Sequence, residues 1–357
     1  MTYKYPVAKP TVGDPERMNL LKAIHLKEIS SKGEFVGQFE AAFAKWLGVK
    51  HAVACSSGTA ALTLAVKALG IGKGDRVIVP NFTMIASALG VVHNGAECFF
   101  VDCADDMNID PKWFDEWEPS DEKAVMPVHL YGRSCDMDKV MAYAKEHDLK
   151  VIEDACEAHG ATWKGKKVGT IGDIGCFSLF ANKIITAGEG GVAVTNDDEL
   201  AEKLRWYRSL CFDTDHTFLH GDLGFNFRMT NLQAAVALAQ LERIDEFLGK
   251  RDNIRRWYDE KLIDYTIPRP QGSVLWMYDV VVRDSKQRES VMKKLAKQDI
   301  ETRRGFKPMT WQPPFGGKKT TTSKADYFAE QVLYLPTYTD LTRDDVATIA
   351  DAFLKAL

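Results

Sequence analysis

The chain has 357 residues, 45% of them apolar and 27% charged, with 26 glycines and 13 prolines, a composition that excludes disorder and fits a globular enzyme. Its net charge of −4 comes without any lysine or arginine block, which argues against nucleic-acid and membrane-surface partners and for a small-molecule one. The seven cysteines form no CxxC pair and no zinc spacing, no apolar run approaches the roughly 20 residues of a membrane span, and "MTYKYPVAKP" has no signal-peptide core; a cytoplasmic protein with neither disulfides nor metal is expected.

Length alone suggests two unequal domains. From about residue 50 to 195, seven β-rich runs recur: "HAVACSS" (51–57), "RVIVP" (76–80), "ECFFVD" (97–102), "AVMPVHL" (124–130), "KVIEDA" (150–155), "IGCFSL" (174–179) and "GGVAVT" (190–195). Continuous apolar runs separated by helical patterns imply a mostly parallel sheet covered by helices on both faces. One helix is predicted directly after "SSGT", where Leu62, Ala65, Val66 and Leu69 fall at i, i+3, i+4 and i+7. Only "FANKIITAGEG" separates the last two runs, too short for a crossover helix, so "GGVAVT" is expected to run antiparallel.

Beyond residue 230 the texture becomes helical in "NLQAAVALAQLERIDEFL", with Thr230 and Asn231 as cap candidates, and in "KRDNIRRWYDEKL". "VLWMYDVVV" (274–282) then reads as a strand, "SKQRESVMKKLAKQ" as an amphipathic helix and residues 343–357 as a closing helix. A large domain over 1–245 and a smaller one over 246–357 are expected.

Ligands of open α/β sheets sit at the carboxyl ends of the strands, so the polar residues following each run are the candidates. "SSGT" (56–59) opens a helix, where backbone N–H groups and the helix dipole favour an anion, and Ser178 can add a hydroxyl. Asp154 ends a run that should be buried; it is either salt-bridged or the counter-ion of a protonated ring nitrogen. Lys183 lies between "FSLFA" and "IITAGEGG", flanks unlike a solvated face, and an amine so placed can act as a nucleophile. The glycine clusters "GIGKGD" and "GTIGDIG" fit no nucleotide-binding spacing and read as turns. Anion cradle, acid and lysine at one sheet edge describe a site for pyridoxal 5'-phosphate (PLP): phosphate, ring nitrogen and aldehyde each have a partner.

"SSGTAAL", "GKGDRVIVPNFT", "VIEDACEAHGA", "GCFSLFANKIITAGEGG" and "GFNFRMTNLQAA", in this order, resemble the DegT/DnrJ/EryC1/StrS family of sugar-nucleotide aminotransferases. The resemblance implies a fold type I PLP-dependent transferase, like aspartate aminotransferase, with a mixed seven-stranded sheet and a smaller C-terminal α+β domain. It implies that Lys183 joins the cofactor aldehyde and shuttles protons, that Asp154 pairs with the ring nitrogen, and that Gly58, Thr59 and Ser178 bind the phosphate. Asn226 would reach the cofactor phosphate of a second subunit, which makes a homodimer with shared sites necessary. Met84 stands where relatives often place an aromatic ring over the cofactor, and Glu157 where many carry Gln or His. Glu157 resembles the subgroup that makes 4-amino-4,6-dideoxy sugars. So does "ETRRGFKPMTWQPPF" (301–315), although Thr310 replaces a histidine associated with the sugar pocket; Arg303 is a candidate for substrate phosphates or carboxylates, or a plain basic rim.

The implied reaction moves the amino group of L-glutamate to the C4 keto carbon of an NDP-4-keto-6-deoxyhexose, with a guanosine-linked sugar as first choice. The alternatives are a UDP- or dTDP-linked 4-aminotransferase and a 3-aminotransferase. A silent sugar-nucleotide sensor would be expected to have lost Lys183 or Asp154, and both are present.

Overall fold

The computed structural model describes residues 3–213, 218–317 and 323–357. Each of the seven apolar runs supplies a strand: β1 (His51–Cys55), β2 (Arg76–Pro80), β3 (Glu97–Val101), β4 (Glu122–Val125), β5 (Lys150–Asp154), β6 (Ile174–Ser178) and β7 (Gly191–Thr195). They form one sheet in the order β1-β7-β6-β5-β4-β2-β3. Six strands share one direction, and β7 opposes both of its neighbours, because residues 179–190 are too few to carry the chain back across a sheet face.

Two helices show how the sheet is covered. Alternate residues of β1 point to opposite faces: Ala52 and Ala54 pack with Phe39 and Phe43 of the helix Glu34–Leu47, whereas Val53 and Cys55 pack with Leu62 and Ala65 of the helix Gly58–Ala68. The run at 124–130 is a strand only as far as Val125. Pro127 has no N–H to donate to a ladder, and the chain turns at Leu130–Gly132 with Tyr131 at φ 54°. In the helical stretch after residue 230, Thr230 is the cap, its hydroxyl accepting from Gln233 N, and the chain breaks between the helices Asn231–Leu241 and Ile244–Leu262. Arg243 N bonds Gln240 O there, a tighter turn than the α-helix allows. Asn231 instead ties down the N-terminal segment, accepting from Phe35 N at 2.8 Å and donating to Glu28 O at 2.7 Å.

A second, antiparallel sheet joins β8 (Tyr278–Val281), β10 (Val332–Leu335) and β9 (Arg303–Arg304), with β10 central. Strand β8 is shorter than the apolar run at 274–282, whose Trp276 is buried outside the ladder. Helices Ile244–Leu262, Ser285–Ala296 and Arg343–Ala356 enclose this sheet around Tyr258, Tyr278, Val291 and Phe353. Among the described residues no helix is long and apolar enough to cross a membrane.

The two sheets are joined by an ionic cluster in which Asp279 and Arg133 are fully buried and Arg269 nearly so. Asp279 of β8 accepts from Arg133 Nη2 at 2.8 Å and from Arg269 Nη2 at 2.7 Å, and Arg133 also donates to Ile267 O at 2.9 Å. Burial pushes the Asp279 carboxyl up, but the two guanidiniums outweigh it and hold it below the ordinary value of 3.8. The stabilisation is therefore present above that value and lost as pH falls through the lower folded one. Asp279→Asn, which leaves two guanidiniums without their carboxylate, is expected to cost about 3 kcal/mol in urea unfolding at pH 7, and the gap from wild type should narrow below pH 3.8.

Candidate active site

Three strand ends and one turn meet at a cavity of about 310 Å³. β1 leads into the helix Gly58–Ala68, where Ser57 caps the first turn by accepting from Ala60 N at 3.1 Å. The first intrahelical bond runs from Ala61 N to Ser57 O, so the N–H groups of Gly58 and Thr59 precede it, at the positive end of the helix dipole. Gly58 is required by space. A Cβ there would lie 2.8 Å from Ser178 Cβ and 3.1 Å from Cys156 Sγ.

Asp154, the last residue of β5, is 5% exposed and fully partnered on its protein side. Its Oδ1 accepts from Cys156 N at 3.1 Å and its Oδ2 from Ser87 Oγ at 2.7 Å. Lys183 sits in the turn after β6, where its N–H bonds Phe180 O. Its side chain is 11% exposed, with Nζ 3.4 Å from Glu157 Oε1 and 4.1 Å from the centre of the Trp276 ring. Trp276 is pinned by its indole N–H donating to Asn182 O at 2.9 Å, and Glu157 Oε2 accepts from Tyr131 N at 3.0 Å. Burial pushes the Glu157 carboxyl up, against the opposing pull of Lys183. Burial also raises the Cys156 thiol, which stays protonated, and lowers His159 to about 3, so that imidazole stays neutral.

Gly58, Thr59, Met84, Asp154, Glu157, Ser178 and Lys183 all line this cavity. Thr310 is absent from the lining and lies beside the end of β2, its backbone N–H donating to Asn81 Oδ1 at 3.0 Å and its hydroxyl accepting from Asn81 Nδ2 at 3.3 Å. Arg303 is exposed, paired with Glu301 at 3.2 Å and absent from the lining, and Asn226 is exposed and accepts from Arg228 Nε at 3.0 Å. Among the described lining residues Lys183 is the one lysine or arginine, against Asp154, Glu157 and Glu189.

Sequence reasoning missed Trp276, Tyr131, Thr83 and Ser87. Thr83 and Ser87 carried a usable signal: they follow β2 four residues apart, one helical turn, at the edge where ligands gather. Trp276 carried none, because it arrives from a segment nearly a hundred positions away in the chain. The residues fit PLP: a glycine-walled cradle of N–H and hydroxyl groups, a buried carboxylate and an enclosed amine surround one space of suitable size.

The sequence profile described as the DegT/DnrJ/EryC1/StrS aminotransferase family matches residues 12–354. The chain belongs to that family. A GDP-perosamine synthase of Caulobacter vibrioides is 44% identical over 98% of this chain and 98% of its own length. A UDP-N-acetyl-3-dehydro-alpha-D-glucosamine 3-aminotransferase of Acidithiobacillus ferrooxidans is 37% identical over 89% of this chain and 87% of its own. The solved structure of Helicobacter pylori PseC, an aminotransferase of pseudoaminic acid biosynthesis, superposes with a TM-score of 0.92 at 26% identity, covering 99% of this chain and 98% of that one. The fold is that of the PLP-dependent sugar aminotransferases, and the chain is an enzyme of that class.

Gly58→Ala forces Ser178 or Cys156 aside, a kind of overpacking that costs about 1–3 kcal/mol. The variant is expected to bind PLP about tenfold more weakly in an absorbance titration of the cofactor-free protein.

Proposed function

We propose that this enzyme uses PLP to move the amino group of L-glutamate to the C4 keto carbon of GDP-4-keto-6-deoxy-D-mannose, giving GDP-perosamine. The observation that carries the reading is the convergence of Lys183, Asp154 and the Gly58, Thr59 and Ser178 cradle on one cavity, in a chain 44% identical along its length to a GDP-perosamine synthase. Residues 1–245 carry the cofactor site in this reading, and residues 246–357 form the smaller domain. A soluble, cytoplasmic setting suits a substrate carrying a nucleoside diphosphate.

The cofactor, when bound, supplies an electron sink for the carbanion left when a substrate carbon loses its proton. Asp154 would hold the ring nitrogen protonated. Gly58, Thr59 and Ser178 would anchor the phosphate. Lys183 Nζ would hold the cofactor's aldehyde end and, when free, would move a proton at the reacting carbon. Its protonation matters, since only the free amine does this work. Glu157 Oε1, 3.4 Å from Nζ, would orient the amine toward the cavity from one side. The Trp276 face holds the amine laterally, and Met84, 47% exposed, guards the opening.

A homodimer with shared sites supports the same chemistry. A cofactor phosphate brings about two negative charges to a lining with three carboxyl groups and one lysine, so further donors must come from outside it. Asn226 is exposed and Arg228 half-buried, in the same stretch of chain as Phe218, Leu219 and Leu223, which are 84%, 61% and 85% exposed, apolar side chains of the kind that an interface covers. A second reading, amination at C3, is favoured by the 37% identity to a 3-aminotransferase.

Borohydride reduction of the PLP-loaded protein is expected to leave the pyridoxyl mass on the peptide containing Lys183; a tag elsewhere, or none, overturns the reading. Incubation with L-glutamate and GDP-4-keto-6-deoxy-D-mannose should give a product whose NMR spectrum places nitrogen on C4, while nitrogen on C3 or turnover only of UDP- or dTDP-linked sugars favours the alternatives. Co-expressed Lys183→Ala and Asn226→Ala chains are expected to regain activity above either parent, because one site of the mixed dimer then holds both native residues.

A further inference from the structure

A two-hydroxyl chain ends on Asp154. Thr83 Oγ1 lies 2.9 Å from Ser87 Oγ, and Ser87 Oγ lies 2.7 Å from Asp154 Oδ2. Thr83 and Ser87 are 1% and 0% exposed, so no bulk water competes for either bond. The direction of both bonds follows from chemistry. An ionised carboxylate only accepts, so Ser87 must spend its one hydroxyl proton on Asp154. Its lone pairs are then free to accept, and Thr83 donates to it. The order is fixed: Thr83 to Ser87 to Asp154. Each donation polarises the next, so the second hydroxyl strengthens the bond made by the first.

The geometry has a local origin. Thr83 and Ser87 straddle the start of the helix Ile85–Val92, one turn apart, and only residues 81–84 separate this helix from β2. That places both hydroxyls over the end of β5. Asp154 Oδ1 is already taken by Cys156 N, so the hydroxyl chain completes the protein's hold on the carboxylate.

We propose that Ser87, backed by Thr83, is a positioning residue that sets how strongly Asp154 competes for the proton on the cofactor's ring nitrogen. The inference rests on the PLP reading above. A carboxylate relieved by a donor is the weaker base, and leaves the proton on the ring. Remove the donor and Asp154 takes a larger share of it; the ring is then less cationic, withdraws fewer electrons and holds a proton more tightly at the nitrogen it shares with Lys183. Two consequences are measurable: a higher pH midpoint for the visible absorption change of the PLP-loaded protein, and a slower half-reaction with L-glutamate.

The test compares Ser87→Ala, Thr83→Val, Thr83→Ser and the double variant Ser87→Ala/Thr83→Val, each loaded with PLP. Ser87→Ala is expected to raise the pH midpoint and to slow the single-turnover bleaching by glutamate about tenfold, in line with loss of a hydrogen bond to a charged group. Thr83→Val should shift both in the same direction by less, and Thr83→Ser, which keeps the donor, should restore the midpoint. In the Ser87→Ala background Thr83→Val should add nothing, because its route to Asp154 is gone. Thermal melting of the cofactor-free variants separates this from loss of fold: a merely structural role lowers melting and leaves the midpoint in place. A wild-type midpoint in Ser87→Ala, or full additivity of the two substitutions, overturns the inference. If instead the native protein takes up no PLP and gives no labelled Lys183 peptide, the reading beneath it fails first, and the two failures are distinguishable.

Discussion

Lys183 is a cation led out of water into a space where two things receive it, the carboxylate of Glu157 and the face of Trp276. Everything else around it serves that enclosure. The turn after β6 sets its backbone, β7 returns antiparallel to β6 just beyond it, and the segment leading into β8 delivers the tryptophan. An amine on an exposed stem would be surrounded by water; this one is held between an aromatic face and a buried acid, which fixes where its nitrogen lies.

Glu157 ties this enclosure to the rest of the molecule. Its second oxygen is held by Tyr131 N, in a turn where a bulky residue occupies the left-handed region at φ 54°, a conformation that persists only when the surroundings impose it. Those surroundings include the Tyr334 hydroxyl on β10 and the Arg133–Asp279–Arg269 cluster. A continuous set of bonds therefore runs from the Lys183 amine to the core of the second sheet. The cost of burying three ionic groups is offset by their mutual pairing and by carbonyls of the connecting segment.

Much of this was legible beforehand. Runs of apolar residues buried on both faces read as strands without any tertiary knowledge, and the reversal of β7 followed from the shortness of one connector. The rule that ligands gather at strand ends led to Gly58, Asp154, Ser178 and Lys183, because each follows a run that could be recognised locally. The strand ending early at Val125 and the helix broken at Arg243 were not legible: one hung on a single missing N–H, the other on a turn tightened by one residue.

Local pattern thus determined the elements, their order and the four groups at their ends, since hydrophobic period and turn chemistry act over a few residues at a time. Tertiary structure alone decided what those groups touch. Trp276 over Lys183, Tyr131 behind Glu157 and the Thr83–Ser87 chain onto Asp154 join residues that are distant in the chain or whose side-chain directions are settled only by packing. It also left Arg303 on the surface beside Glu301, because a basic residue near a site in sequence goes where solvation and its nearest carboxylate are most favourable.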